Sequence, residues 1–164
     1  MNLEKLESLS AELGELLTEK NLFFTSAESC TGGWVGQSVT GVPGSSKWYG
    51  TGFITYSNTA KTKVLGVKKE TLSNFGAVSE EVVCEMVEGA LSLSNSQLGV
   101  AISGIAGPGG GTKERPVGTV CIAWLREGEE VRSTTELFSG NRNEVRYATV
   151  ECALINAIRL IKEN

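Results

Sequence analysis

The sequence predicts an α/β fold, a three-layer α/β sandwich on a mixed sheet. Three observations predict it. Apolar segments of strand length alternate with amphipathic helical segments along most of the chain, the pattern of crossover connections between parallel strands. The last two strand segments are joined by a few polar residues only, too few for a crossover and enough for a hairpin. The composition, with 164 residues, 40% hydrophobic, 21% charged and 20 glycines, is that of an ordinary globular chain rather than a disordered or fibrous one.

The elements follow in order. Leu3, Leu6, Leu9, Leu13, Leu16 and Leu17 recur at helical spacing, and Asn21 can end that first helix. "LFFTSA" from residue 22 reads as a buried strand, and Thr31-Gly32-Gly33 leads from it into a helix through "WVGQSVTGV", ended by Gly41 and Pro43. "SSKWYGTGFITYS" reads as a second strand, followed by a short helical piece through "NTAKTKVLG" with Asn58 as its expected cap. Ser79 caps a long amphipathic helix reaching about Leu93, with Glu80 and Glu81 favourably placed in its first turn. "QLGVAISGI" is a third strand running into glycine-rich "AGPGGGTKERP". "VGTVCIAWL" and "EEVRSTTELF" form a hairpin through Arg126-Glu127-Gly128-Glu129, and a helix from about Asn141 to Ile161 closes the chain.

A chain of this length can bury roughly 70% of its unfolded surface, so one domain over residues 1–164 is expected. A net charge of −4 gives no general attraction to phosphate backbones or anionic membranes. Neither nucleic acid nor a membrane is therefore an expected partner. The acidic, amphipathic start is unlike a signal peptide, no run of about 18 apolar residues occurs, and a cytoplasmic location is expected. Cys30, Cys84, Cys121 and Cys152 are scattered without a CxxC, and the chain has no histidine, which argues against a metal site and a disulfide framework alike.

The absence of histidine shapes the chemistry. In "TSAESCTGGW", residues 25–34, Ser29 and Cys30 sit on a strand-to-helix turn, but no Ser-His-Asp triad is available. Lysine is the remaining common base. A free lysine, with a pKa near 10.4, is only about 0.1% neutral at physiological pH, so its site must supply about 4 kcal/mol against the charge. Lys61 follows an apolar strand and shares its segment with Tyr56, whereas Lys68, Lys69 and Lys113 lie in solvated stretches. Lys61 is the candidate base. No lysine has Ser or Thr three residues before it, so a dyad must be assembled in space. Ser57, four residues before Lys61, is a rival nucleophile, and Cys30 at a helix start is another. Backbone N–H groups of Thr31, Gly32 and Gly33 could hold an oxyanion, although a plain helix-starting turn has the same residues. The loop "SGIAGPGGGT" follows a strand, where α/β sheets bind ligands, but matches no phosphate-loop pattern. Arg142 and Arg146, one turn apart at a positive helix end, suit an anion or a solvated face equally. Trp34, Trp48 and Trp124 read as packing residues.

Seven segments together resemble the CinA C-terminal domain family: "SAESCTGG" (26–33), "GSS" (44–46), "GFITYSNTAK" (52–61), "GAVS" (76–79), "SGIAGPGGG" (103–111), "PVGTV" (116–120) and "FSGNRNEVR" (138–146). The resemblance implies a three-layer α/β/α sandwich with a mixed, about five-stranded sheet. It also implies hydrolysis of the carboxamide of nicotinamide mononucleotide to nicotinate mononucleotide and ammonia, a step of pyridine nucleotide salvage, without metal or organic cofactor. Carried over by motif, Ser29 would be the nucleophile, Lys61 its base, and Tyr56 would orient the lysine or the amide. Ser45, Ser46, the loop with Gly104, Gly107, Gly109 and Gly110, and Arg142 would hold the nucleotide. The family often has Asp where this chain has Asn141, which keeps a helix cap but lacks the charge. Nothing in the chain supports the nucleotide-processing domain that larger members carry. The competing expectation is a non-catalytic nucleotide-binding or regulatory module, and assembly as a homo-oligomer such as a dimer is left open.

Overall fold

The computed structural model describes residues 1–163. Its elements run α1 (Leu3–Glu19), β1 (Phe24–Glu28), α2 (Trp34–Thr40), β2 (Tyr49–Ile54), α3 (Asn58–Leu65), α4 (Lys69–Phe75), α5 (Glu80–Ser94), β3 (Leu98–Gly104), β4 (Thr119–Arg126), β5 (Arg132–Leu137) and α6 (Arg142–Lys162). The strands form one sheet in the order β2-β1-β3-β4-β5. β1 pairs in parallel with β2 and β3, while β4 runs antiparallel to β3 and β5 antiparallel to β4. The predicted three-layer mixed sandwich is the fold observed.

Strand alternation divides the core between the two sheet faces. Val100 and Ile102 of β3 and Val120, Ile122 and Trp124 of β4 face one way, where they pack with Leu13 and Leu17 of α1, Val35 and Val39 of α2, and Leu154 and Ile158 of α6. The residues between them, Ala101, Cys121 and Ala123, face the other way with Ala27 of β1 and meet Val83, Met86 and Val87 of α5. Small residues on this second face let α5 lie close to the sheet. α5 is also tight against α3: a Cβ on Gly89 would sit 2.0 Å from the backbone oxygen of Leu65, so only glycine fits there.

Three local expectations are corrected. Residues 45–47 of the expected second strand form a 3-10 turn instead, because Ser45 N–H donates to Val42 O and its own carbonyl accepts from Trp48 N–H at 3.0 Å. Ser57, not Asn58, caps α3, its Oγ accepting from Ala60 N–H at 3.0 Å. The helix α4 was not anticipated; its seven residues bury no side chain fully, so its apolar periodicity is too weak to read. Among the described residues no helix is long and apolar enough to cross a membrane.

Candidate active site

β1 is an interior strand, flanked by β2 and β3 and buried along its whole length, so whatever follows it is placed rigidly. The chain leaves β1 toward β2 on one side, and leaves β3 toward β4 on the other. Diverging connections of this kind open a crevice at the carboxyl ends of the strands. A cavity of about 270 Å³ occupies that position, lined by the Ser29 turn, the 103–110 loop, Tyr56, Lys61 and Arg142.

Ser29 is held at the cavity floor by continuation of the sheet, its N–H donating to Ile102 O at 3.0 Å. The neighbouring strand continues likewise, with Thr55 N–H donating to Glu28 O at 2.9 Å, and the chain then turns into α3. Lys61, in the first turn of α3, therefore points back at the end of β1. Its Nζ lies 3.0 Å from Ser29 Oγ and donates to Thr55 O at 2.9 Å, with a longer contact of 3.4 Å to Tyr56 O. Ser29 and Lys61, 32 residues apart in sequence, are thus brought together. Lys61 is 1% exposed, and among the described residues it makes no ion pair. Burial accordingly pushes its pKa below the ordinary lysine value, opposed only by the nearby Cys30 sulfur. Two N–H groups given to two carbonyls leave the lone pair of a neutral amine for the Ser29 hydroxyl proton.

The rivals are placed elsewhere. Ser57 Oγ is occupied as the α3 cap. Cys30 is buried, and burial pushes its thiol pKa up to about 12, so it is a protonated thiol at neutral pH.

The backbone donors differ in part from expectation. Glu28, buried at 2% exposure, folds its carboxylate back onto the start of α2, accepting from Gly33 N–H at 3.0 Å, Val35 N–H at 3.1 Å and Gly36 N–H at 3.0 Å. The anion site of that helix end is filled by the protein itself. Gly32 N–H is also engaged, by Ser29 O at 3.0 Å. Of the three expected donors only Thr31 N–H is left without an acceptor among the described residues, and the neighbouring Cys30 N–H meets only its own Sγ. Gly33 is required for another reason: its φ of +98° is left-handed, and a Cβ there would meet Ile54 Cδ1 at 2.9 Å.

Arg142 crosses the cavity mouth, where Nη1 donates to Gly107 O at 2.6 Å and Nη2 to Tyr56 Oη at 3.3 Å. Asn141 caps α6 in a capping box with Glu144, so the helix end is satisfied internally and the Arg142 guanidinium is the cationic group facing the cavity mouth there. Gly104, Gly107, Gly109 and Gly110 line the same cavity. Ser45 and Ser46 are not brought to it. They precede Tyr49, which pairs with Phe24 at the start of β1, whereas Ser29 follows its end. The five residues of β1 separate the two ends by roughly 16 Å.

Three contributors escaped the reading of the sequence. Thr55 acts through its carbonyl, which any residue type could supply, so no sequence signal marks it. Ser103, buried at 2% exposure, lines the cavity from the end of β3 but has no distinguishing neighbour. Arg146, visible only as the second of two arginines, holds the Cys30 and Thr31 carbonyls.

Comparison with known proteins places the chain in a family. The family model of the CinA C-terminal domain matches residues 6–161. The chain belongs to the CinA C-terminal domain family. It is 48% identical over 150 residues to the nicotinamide-nucleotide amidohydrolase PncC of Escherichia coli K12, covering 92% of this chain and 91% of that protein. The PncC of Pseudomonas putida is 46% identical over 158 residues, with 96% and 98% covered. Among solved structures, the competence/damage inducible protein CihA from Agrobacterium tumefaciens superposes with a TM-score of 0.93 at 41% identity over 95% of each chain. A CinA superfamily protein from Klebsiella pneumoniae 700603 gives 0.94 at 34% identity over 100% of both.

Proposed function

We propose that this chain, acting as one unit over residues 1–164 in the cytoplasm, hydrolyses the carboxamide of nicotinamide mononucleotide to nicotinate mononucleotide and ammonia. The observation that carries the reading is the pair of Ser29 Oγ and Lys61 Nζ at 3.0 Å, with the amine buried and turned toward the hydroxyl by two carbonyls. The names of the amidohydrolase relatives support the substrate.

In the proposed reaction Ser29 Oγ attacks the carboxamide carbon while Lys61 takes the hydroxyl proton. The carbonyl oxygen becomes an oxyanion in the tetrahedral intermediate. The C–N bond then breaks, Lys61 returns the proton to the leaving nitrogen, and ammonia departs from a nicotinoyl ester on Ser29. Lys61 next takes a proton from water, the hydroxide adds to the ester carbon, and nicotinate mononucleotide leaves as Ser29 recovers its proton. Arg142, the glycine-rich loop at Gly107 to Gly110 and Tyr56 would hold the nucleotide, the arginine facing its phosphate.

Ammonia release from nicotinamide mononucleotide tests the reading. The wild-type chain is expected to turn over, while Ser29→Ala and Lys61→Met each lose at least about 10³-fold in kcat. Saturable nucleotide binding without release of ammonia above the Ser29→Ala level would favour the non-catalytic binding module instead.

A further inference from the structure

Arg146 lies on α6 one turn beyond Arg142, and its guanidinium faces no substrate cavity. It makes no ion pair among the described residues. Its Nε donates to Cys30 O at 3.1 Å and its Nη2 to Thr31 O at 2.9 Å, while its charge lies 5.3 Å from the centre of the Trp34 ring. A buried-side arginine is thus committed to two neutral carbonyls, both immediately after the nucleophile.

Peptide geometry turns this into a statement about the opposite side of the same bonds. In a planar trans peptide the C=O and N–H point in opposite directions. Anchoring Cys30 O to Arg146 therefore aims Thr31 N–H away from α6. The preceding peptide is anchored in the same way, since Ser29 O accepts from Gly32 N–H at 3.0 Å, which aims Cys30 N–H away from Gly32. Thr31 N–H has no acceptor among the described residues and Cys30 N–H meets only its own Sγ, whereas those further along the turn are consumed by Ser29 O and Glu28. The N–H directly after a serine on a strand-to-helix turn is where an acyl oxyanion is received. A cation on the carbonyl end also polarises the peptide and strengthens its N–H as a donor.

We infer that Arg146 is a positioning residue that orients the peptide between Cys30 and Thr31, whose N–H, beside the Cys30 N–H set by the Ser29–Gly32 turn, receives the oxyanion formed at Ser29. This rests on Ser29 being the nucleophile of the proposed acyl transfer. It does not require the nicotinamide nucleotide to be the substrate.

The test uses the full chain in two acyl transfers: single-turnover acetylation of Ser29 by p-nitrophenyl acetate, located by peptide mass spectrometry against a Ser29→Ala blank, and deamidation of nicotinamide mononucleotide. In whichever of the two the wild type performs, Arg146→Ala is expected to lose about 10²-fold in the rate at saturation. KM should stay within about twofold and the pH of the rising limb should not move, because neither the binding groups nor Lys61 is touched. Millimolar ethylguanidinium should restore part of the loss, and Arg146→Lys should fall between. An unchanged rate overturns the inference. So does a loss that tracks the unfolded fraction without rescue, or one expressed as a shifted pH limb. A wild type acetylated at Ser29 but inert toward the nucleotide overturns the substrate reading and leaves this one standing, and a wild type performing neither reaction overturns both.

Discussion

Lys61 illustrates how a residue chosen by elimination owes its chemical character to its surroundings. With no histidine in the chain, a serine hydrolase reading requires a lysine whose charge is disfavoured. The fold supplies that by burial, and adds two carbonyl acceptors that no residue pattern records. The pH dependence follows with a definite sign. In the proposed reaction Lys61 must be neutral to take the Ser29 proton, and burial lowers its pKa, so kcat/KM should rise with pH through an apparent value below that of an ordinary lysine. A flat profile between pH 6 and 9 would count against Lys61 as base. Cys30 gives the complementary expectation. Its thiol is held protonated with a pKa near 12, so Cys30→Ser should keep kcat within about threefold, whereas loss of activity in that variant with retention in Ser29→Ala would exchange their roles.

At the scale of elements, two features decide whether Ser29 and Lys61 meet. Glu28 ties the end of β1 to the start of α2 through three backbone N–H groups, which makes the nucleophile turn a stiff corner. The glutamate stands next to Ser29 in the sequence, but its role was not legible there, because a side chain that returns to its own following helix leaves no periodic trace. The seating of α3 is the second feature. Gly89 of α5 lets Leu65 at the end of α3 approach, and a Cβ 2.0 Å from that carbonyl oxygen would push the helix outward. Gly89→Ala should therefore destabilise the fold by about 1–3 kcal/mol in urea titration and lower kcat by displacing Lys61. Equal stability and activity in this variant would show that α3 can shift freely. In the sequence Gly89 is a lone glycine inside an amphipathic helix, which signals close packing without naming the partner.

Across the whole molecule, burial of thiols ties stability to alkaline pH. Cys30 goes from an ordinary 9.0 to about 12 on folding, and the pKa values of Cys84, Cys121 and Cys152 are also raised by burial. The folded state then binds more protons than the unfolded state between these limits, so stability falls as pH rises from about 9 toward 12. Cys30 alone accounts for about 4 kcal/mol at the upper limit. The melting temperature should drop over this range, less steeply for Cys30→Ala, and parallel curves for the two chains would contradict the assignment. Lys61 contributes with the opposite slope below 10.5, because its lowered pKa means that the unfolded chain binds the extra proton.

The layered fold was legible because strand and helix periods are local: Val100, Ile102, Val120, Ile122 and Trp124 alternate with small residues regardless of what lies far away. The candidates Ser29 and Lys61 were legible through an absent residue type and a motif resemblance. Other features were not. The sequence could not place Ser45 and Ser46 at the far end of the sheet, choose Ser57 over Asn58 as cap, or show that Glu28 spends the α2 donors. The first depends on how the strands are ordered and paired, and the other two on side-chain directions within a turn that residue type alone does not fix. By itself the sequence determined the class of fold, the strand-turn-helix that presents Ser29 and lysine as the candidate base. Only the tertiary structure decided that Lys61 stands 3.0 Å away with its charge disfavoured, because parallel pairing of β1 and β2 places their carboxyl ends side by side and burial there removes the water that would keep the amine protonated.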